Sequence, residues 1–499
     1  MKTDDKFPVI IVGAGPAGLT AAYELTDHGF KAVVLEKDPK YVGGLARTIN
    51  YKGFRFDIGG HRFFSKNKEI EDLWKKILGK DFLVKKRLSR IYYRGKFYYY
   101  PLKLFNVLAN LGLLSLVSVS LSYVWVKTFP IKTESSFEEW VSNRFGRKLY
   151  AIFFKTYTEK VWGTDPSKIS ADWAAARIQN FTLRAIITNL FFRRNGGVIK
   201  TLINQFRYPK YGPGMLWERI KKIVEKRGSG VILGSEVVSI ECVGNKVNNL
   251  KTMTNGKIMR VYGTHFLSSM PLCDLIRKLK PTPPALVLKA AENLKFRDFL
   301  VVMLVINKSK LFGDQWIYIH DPNVQVARIQ NFKNWSKFMI PDAKTTSLGF
   351  EYFCSKTDKL WGLDDRDLIR QAASELEFLG LAGSKDVVDG KVVRVENAYP
   401  VYDKGYQKRV DIIRNYLRRF DNLQIIGRGG MHKYNNQDHA MMTGLLAARN
   451  VMGGRFNLWQ VDADAMYLED GAKPNNAKGR LIPAELSQQI DFRFGQLQD

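Results

Sequence analysis

The chain has 499 residues, 45% of them hydrophobic, enough for a large core and for more than one domain. Its 78 Lys and Arg outweigh 48 Asp and Glu, for a formal net charge of +30, and a field of that sign favours anionic partners such as phosphorylated substrates, acidic lipid or nucleic acid. The cations are scattered (Lys85-Lys86-Arg87, Arg193-Arg194, Lys221-Lys222) and no zinc or RNA-binding motif accompanies them, which speaks against nucleic acid. A basic solvated surface is the plain expectation, and peripheral contact with an anionic membrane stays open beside it. Cys242, Cys273 and Cys354 are far apart and odd in number, which argues for a reducing compartment and against a disulfide framework or a metal site.

Residues 1–7 are charged and carry no apolar signal-peptide core, so a cytoplasmic-facing location is expected. An apolar run at 10–12 meets Gly13-Ala14-Gly15-Pro16-Ala17-Gly18. Leu19, Ala22, Tyr23 and Leu25 then recur at helical spacing, and a second apolar run at 32–35 ends in Glu36. Strand, glycine turn, helix, strand and acid are the parts of a dinucleotide site. Gly13, Gly15 and Gly18 give a tight turn, room for a pyrophosphate and close helix packing, and Glu36 is placed for a ribose hydroxyl. The helix N-terminus would face the phosphates.

Gly43-Gly44-Leu45-Ala46-Arg47-Thr48 is a second glycine turn, suited to close backbone approach to a cofactor. Residues 53–57 alternate like a strand and lead to Gly59-Gly60-His61. The histidine is either structural or held against a planar ring. Residues 88–100 read as two aromatic-rich strands turning at Arg94-Gly95-Lys96. Residues 104–126 contain no formal charge and approach transmembrane length. Their place inside one fold, and their Asn and Ser content, argue instead for a buried helical pair or for a helix lying in a membrane interface. A capped helix over 137–158 and a short one over 171–178 complete a helical insertion. A helix at 215–226, strands near 230–240, a hairpin at Asn255-Gly256 and a strand at 266–270 follow. A second, mostly antiparallel sheet is expected from strands at 299–306, 316–320, 324–330, 348–353 and 392–396. A strand at 423–428, a helix at 440–452 and a polar, poorly packed tail close the chain.

Several stretches together resemble the UDP-galactopyranose mutase family, its eukaryotic branch above all, within the flavin amine oxidase superfamily that includes protoporphyrinogen oxidases and phytoene desaturases. They are GGLARTINYKGFRFDIGGHRFFSK (43–66), RLSRIYYRGKFYYYPLK (87–103), the segment 136–178, and GRGGMHKYNNQDHAMMTGLLAARNVM (427–452). The resemblance implies an α/β fold with a Rossmann-like FAD-binding domain (1–102, 201–275 and 400–455). It also implies an inserted helical domain (103–200), an antiparallel-sheet domain (276–399) and a tail (456–499). The implied FAD contacts are Gly13, Gly15, Ala17, Gly18, Glu36, Lys37, Gly43, Gly44, Leu45, Ala46, Gly60, His61, Val237, Gly427, Arg428, Asn436 and Gln437. The implied substrate contacts are Tyr100, Lys103, Trp162, Arg177, Tyr318, Arg328, Tyr399, Tyr434 and Asn436. Arg177 and Arg328 would grip a diphosphate, and His61 would orient the flavin.

The implied reaction interconverts the pyranose and furanose forms of a UDP-sugar or a related diphosphate-linked sugar. Its flavin is reduced by NADPH or NADH, and its route passes through a sugar adduct at flavin N5. Two alternatives accompany it: an FAD-dependent oxidoreductase acting on an apolar substrate, and a membrane-associated flavoprotein without catalysis. Nothing in the sequence sets the oligomeric state.

Overall fold

The computed structural model describes residues 8–65, 67–100, 104–171 and 205–461. Lys103 and Arg177 lie outside the described residues, as do most of the expected helix at 171–178 and the chain beyond 461. The dinucleotide half is built on a parallel sheet. Its spatial order is Leu423–Ile425, Phe266–Ser268, Val9–Val12, Ala32–Leu35 and Gly230–Ile232. Val9–Val12 at its centre is buried at every residue, as expected where helices cover both faces. Helix α1 (Pro16–Asp27) follows the first strand and packs against the C-terminal helix Gln437–Val451. That helix starts three residues earlier than its apolar pattern indicates, with Asn436 as its N-cap.

A second sheet has seven strands. In spatial order they are Val387–Pro400, Phe296–Ile306, Thr346–Cys354, Arg328–Asn331, Trp316–Ile319, Ser89–Tyr93 and Lys96–Tyr99. All neighbours are antiparallel except Ser89–Tyr93, which runs parallel to Trp316–Ile319. The hairpin at 88–100, grouped by sequence with the FAD-binding segments, therefore belongs to this sheet. Of the strand expected over 324–330, only its end is ladder. Upstream, the Glu375 carboxylate accepts the N–H groups of Gln325 (2.8 Å) and Val326 (3.1 Å), so a side chain replaces the strand partner.

The other domain boundary shifts as well. Leu279–Lys280 joins Ser235–Val243 in a four-stranded sheet, and Leu272, Ile276, Val287 and Ala291 enter the same apolar core as α1. Residues 272–294 thus pack with the dinucleotide half, although they were assigned from 276 onward to the antiparallel-sheet domain. The tail also starts later. Leu458 and Val461 are buried, and Lys433 Nζ donates to the carbonyls of Trp459 (2.7 Å) and Val461 (3.2 Å).

The helical insertion opens with α2 (Leu104–Leu111) and α3 (Leu113–Thr128), separated by Gly112. The expectation of a buried pair fails for α3, which turns an apolar face outward: Leu114 is 89% exposed and Leu121 66%. No helix among the described residues is long and apolar enough to cross a membrane. The helix expected over 137–158 is broken at Gly146, where φ is +85°. Ser136 caps its first segment, accepting the Glu139 N–H at 3.3 Å while the Glu139 carboxylate accepts the Ser136 N–H at 2.9 Å. Lys160, near the end of the last segment, donates to the carbonyls of Ile319, Asp321 and Val326 at 3.2, 2.7 and 3.0 Å. That ammonium ties the insertion to the end of the inner strand Trp316–Ile319 and to the loop that follows it.

Candidate active site

Two glycine turns meet above the parallel sheet. The Gly43 N–H donates to the Ala14 carbonyl at 2.8 Å, and a Cβ on Gly44 would lie 3.3 Å from Gly15 Cα. A Cβ on Gly18 would stand 1.9 Å from the Gly13 carbonyl oxygen, so α1 reaches its depth only with glycine there. The buried Glu36 carboxylate accepts the N–H groups of Ala14 (2.7 Å) and Asp38 (3.0 Å), locking the first turn to the end of the second strand. Each of its oxygens keeps a lone pair for a ribose hydroxyl. Val237 lies beyond, its neighbour Ser235 donating its N–H to the Glu36 carbonyl at 2.8 Å. Ala17 and Ala46 are buried in this cradle, whereas Lys37 and Asn436 are exposed.

Arg47 belongs to the cradle too, although sequence reasoning left it without a role. Its Nη1 donates to the Gly44 carbonyl at 2.8 Å, and Asp38 lies 3.7 Å from its Nε. At the N-terminus of the C-terminal helix, Gln437 Oε1 is buried with no hydrogen-bond partner among the described residues. Backbone crowding that only glycine relieves fits a flat, phosphate-bearing cofactor, and the orphaned Gln437 amide oxygen is an acceptor for an N–H or O–H donor on it.

His61 stands where this cradle meets a second chamber. Its Nε2–H donates to the Ile58 carbonyl at 2.8 Å. Loss of water around the ring lowers its pKa to about 4 against the pull of that carbonyl, and the nearby Arg428 and Arg328 charges push the same way. The imidazole is therefore neutral at physiological pH. The histidine loop also approaches the far sheet, since a Cβ on Gly59 would lie 3.9 Å from the Tyr399 hydroxyl. Gly60 is exposed at the loop apex.

The chamber is lined from the seven-stranded sheet. Tyr318, Arg328 and Glu351 are successive cross-strand partners, so the ladder register puts them in one row on one face. Arg328 Nε lies 2.5 Å from Glu351 Oε2, and its Nη2 is 3.5 Å from the Tyr399 hydroxyl. Burial is the largest single influence and works against the Arg328 charge, but Glu351 together with Tyr157, Tyr399 and Tyr434 outweighs it and the guanidinium stays protonated. Tyr399 and Tyr434 stack at 5.5 Å, with the Arg428 guanidinium 5.4 and 5.1 Å from their ring centres. Arg428 is held by the Asn435 carbonyl at 2.9 and 2.6 Å. Trp162 reaches Tyr434 at 6.1 Å. A cavity of about 490 Å³ opens beside Trp162, lined also by Lys168, Arg297, Tyr402 and Asp403.

Tyr100 and Tyr318 are 5.0 Å apart at the other end of the row. Three neighbours there were missed from the sequence. Tyr157 lies 5.6 Å from Tyr318, Arg87 sits over Tyr100 and Trp316, and Arg62 sits over Trp316 at 5.4 Å. Both arginines fall inside the stretches that carry the resemblance, but only the cross-strand register shows where they lie. Of the expected substrate contacts, Tyr100, Trp162, Tyr318, Arg328, Tyr399 and Tyr434 thus form one contiguous cluster, of which Trp162 alone borders the 490 Å³ cavity. Asn436 sits instead at the exposed helix cap.

The chain matches the family model described as flavin containing amine oxidoreductase over residues 16–452. A crystal structure of reduced UDP-galactopyranose mutase is similar in fold, with a TM-score of 0.76 at 24% identity, covering 91% of this chain and 97% of that one. Cyclohexylamine oxidase from Brevibacterium oxydans IH-35A gives 0.59 at 15% identity, covering 90% and 100%. Curated relatives match only locally. The inactive all-trans-retinol 13,14-reductase of Danio rerio is 51% identical over 55 residues, 11% of this chain and 9% of the relative. A 4,4'-diapophytoene desaturase of Methylomonas sp is 49% identical over 51 residues, 10% of each. The matched segments span about a tenth of those relatives' length. With a match from α1 through the C-terminal helix, and with glycine turns, buried Glu36 and Gln437 suited to FAD, the chain belongs to the flavin containing amine oxidoreductase family and is an FAD-dependent flavoenzyme.

Proposed function

We propose that the protein is a flavin-dependent isomerase that interconverts the pyranose and furanose forms of a UDP-sugar or a related diphosphate-linked sugar, with NADPH or NADH as reductant. The supporting observation is the row Tyr318–Arg328–Glu351, facing Tyr399, Tyr434 and Arg428 beside a neutral His61. Glu351 takes the Nε of Arg328 and directs its Nη edge toward Tyr399. A fixed guanidinium fork suits phosphate oxygens, and the tyrosine hydroxyls add donors around it. Arg177, matched through the resemblance, is the proposed second diphosphate cation.

A diphosphate leaving group held this way stays close to the sugar after the anomeric bond breaks, so that it recombines in preference to escaping. Reduced FAD in the glycine cradle would supply an electron-rich ring to the anomeric carbon with no net redox change. His61, uncharged and anchored to Ile58, orients and polarises that ring's surroundings and is not a free base. Aromatic walls at Trp162, Tyr399 and Tyr434 keep water from the open-chain sugar.

The alternative is an FAD-dependent oxidoreductase on an apolar substrate, favoured by the local match to the desaturase and by the aromatic walls. Product analysis after incubating UDP-galactopyranose with dithionite-reduced protein separates the two. Furanose formed without oxygen consumption supports the isomerase. No furanose, together with oxygen-dependent turnover of an apolar substrate, overturns it.

A further inference from the structure

Helix α3 is inside out. Leu114, Val117, Leu121, Val124 and Trp125 are 55–89% exposed. At 100° per residue they occupy an arc of about 100°, one face of the helix. Three of its four serines, Ser115, Ser118 and Ser122, are instead half-buried, and the Ser122 hydroxyl accepts the Lys148 N–H at 3.1 Å on the protein side. A helix facing water has the opposite arrangement, and a contiguous exposed apolar face marks a contact surface. At its C-terminal end Trp125 and Phe129, both exposed, pair at 4.8 Å, an amphipathic aromatic edge of the kind that sits at a membrane–water boundary.

Cations gather around this face. No acidic residue occurs between Asp81 and Glu134. The same stretch contributes exposed Lys96 and Lys127, and Lys132 beyond the helix end. Arg147 and Lys148 are exposed at the start of the short helix Arg147–Tyr150, which packs directly on α3: a Cβ on Gly146 would lie 3.1 Å from the Tyr123 backbone. An apolar helix face rimmed by cations, with the nearby Glu134 carboxylate turned to Asn143 and Arg144 at 2.8 and 2.7 Å, complements one environment, the headgroup boundary of a bilayer containing anionic lipid.

We propose that α3 lies in the interface of an anionic bilayer, with Leu114, Val117, Leu121, Val124 and Trp125 facing the acyl region and Lys132, Arg147 and Lys148 among the phosphates. The helix does not span. It is a docking surface, whichever sugar or apolar compound the flavin site acts on. Docking also orients the chamber. Asn106 of α2 accepts the Tyr99 N–H at 2.9 Å, so the docked helical pair is pinned to the hairpin that ends at Tyr100 in the chamber wall.

The test is co-sedimentation of the full-length flavoprotein with vesicles of phosphatidylglycerol and phosphatidylcholine, or of phosphatidylcholine alone, at about 0.05 and about 0.5 M salt. Binding is expected to the anionic vesicles, to weaken at high salt, and to fall at least about tenfold in Val117→Glu/Leu121→Glu. Flavin absorbance and thermal midpoint check that this variant is folded. Lys132→Glu/Lys148→Glu, which leaves the apolar face intact, should weaken only the salt-sensitive part. Brominated lipid should quench a fluorescence component that is missing in Trp125→Phe. Binding unchanged in the double glutamate variant overturns the proposal, as does equal binding to neutral vesicles. Two further outcomes also overturn it. One is a wild-type dimer that the double variant dissociates, without vesicle binding, which assigns the face to a second copy. The other is a Trp125 component shielded from acrylamide without lipid, which assigns it to another segment of this chain.

Discussion

Arg328 and Glu351 face each other across adjacent strands with 2.5 Å between Nε and Oε2, and the Glu351 side chain is 1% exposed. The pair is the fixed point of the chamber. Removing one partner of a buried pair leaves the other uncompensated, at about 3–5 kcal/mol. Glu351→Ala should therefore lower the unfolding free energy by that order and release Arg328 from its aim at Tyr399. Arg328→Ala should weaken UDP binding at least about tenfold, the loss of one charge-assisted contact, and leave FAD stoichiometry intact. Titration of UDP against the oxidised protein, read with flavin absorbance, separates the two effects.

The cradle depends on backbone contact between distant helices. A Cβ on Gly444 would stand 2.0 Å from the Ala17 carbonyl oxygen. Gly444→Ala should force α1 and the C-terminal helix apart, giving protein that retains little FAD. Gly230, in the edge strand, has nothing within 4 Å of an added Cβ, and Gly230→Ala should purify with a full complement of flavin.

Stability should respond to pH with two opposed slopes. His320 and His432 are buried, with pKa values lowered to about 3 and about 4. Burial is the main cause, and the Lys160 charge adds to it at His320. Below about 6.5 the unfolded chain takes up protons that the native chain refuses, so their contribution is full above that pH and falls as pH drops toward 4. Asp57 acts in the other direction. Burial raises its pKa to about 7 despite hydrogen bonds from Tyr208 and Thr48. Its contribution is full below about 4 and is lost as pH rises through 7. Thermal midpoints between pH 4 and 8 should lose steepness on the acid side in His320→Asn and on the neutral side in Asp57→Asn.

Lys160 gives a mechanical prediction. Lys160→Met strands three carbonyl oxygens that now share one ammonium. An unmet buried acceptor costs about 1–3 kcal/mol, so the helical insertion should loosen before the sheets do. Limited proteolysis should cut the variant within 104–171 faster than the wild type, with the flavin still bound.

The parts of this fold that depend on neighbours in sequence were legible in it. Gly13 to Gly18, the helix behind them and Glu36 formed the expected unit, because a β-α-β turn is a local object. The hairpin at 88–100 was legible as a hairpin but not as part of the antiparallel sheet, since Ser89–Tyr93 pairs with Trp316–Ile319, more than two hundred residues away. Arg62 and Arg87 went unassigned for the same reason: their aromatic partner Trp316 is remote. Residues 324–327 had strand composition, but the distant Glu375 carboxylate took over the backbone donors. In α3 composition showed an apolar helix. Only the packing of Val119 and Val126 inward showed which of its apolar residues were left outside.

The order of strands in the parallel sheet has a consequence for biosynthesis. Its edge strand, Leu423–Ile425, and the helix that packs on α1 come from the last part of the described chain, while the glycine turns come from the first. Such long-range closure is slow and late. A ribosome-bound chain that has not yet emerged past Val451 holds both glycine turns without the helix that seats them. The flavin is thus acquired only once that helix has emerged, and a nascent chain stalled before that point should carry no colour.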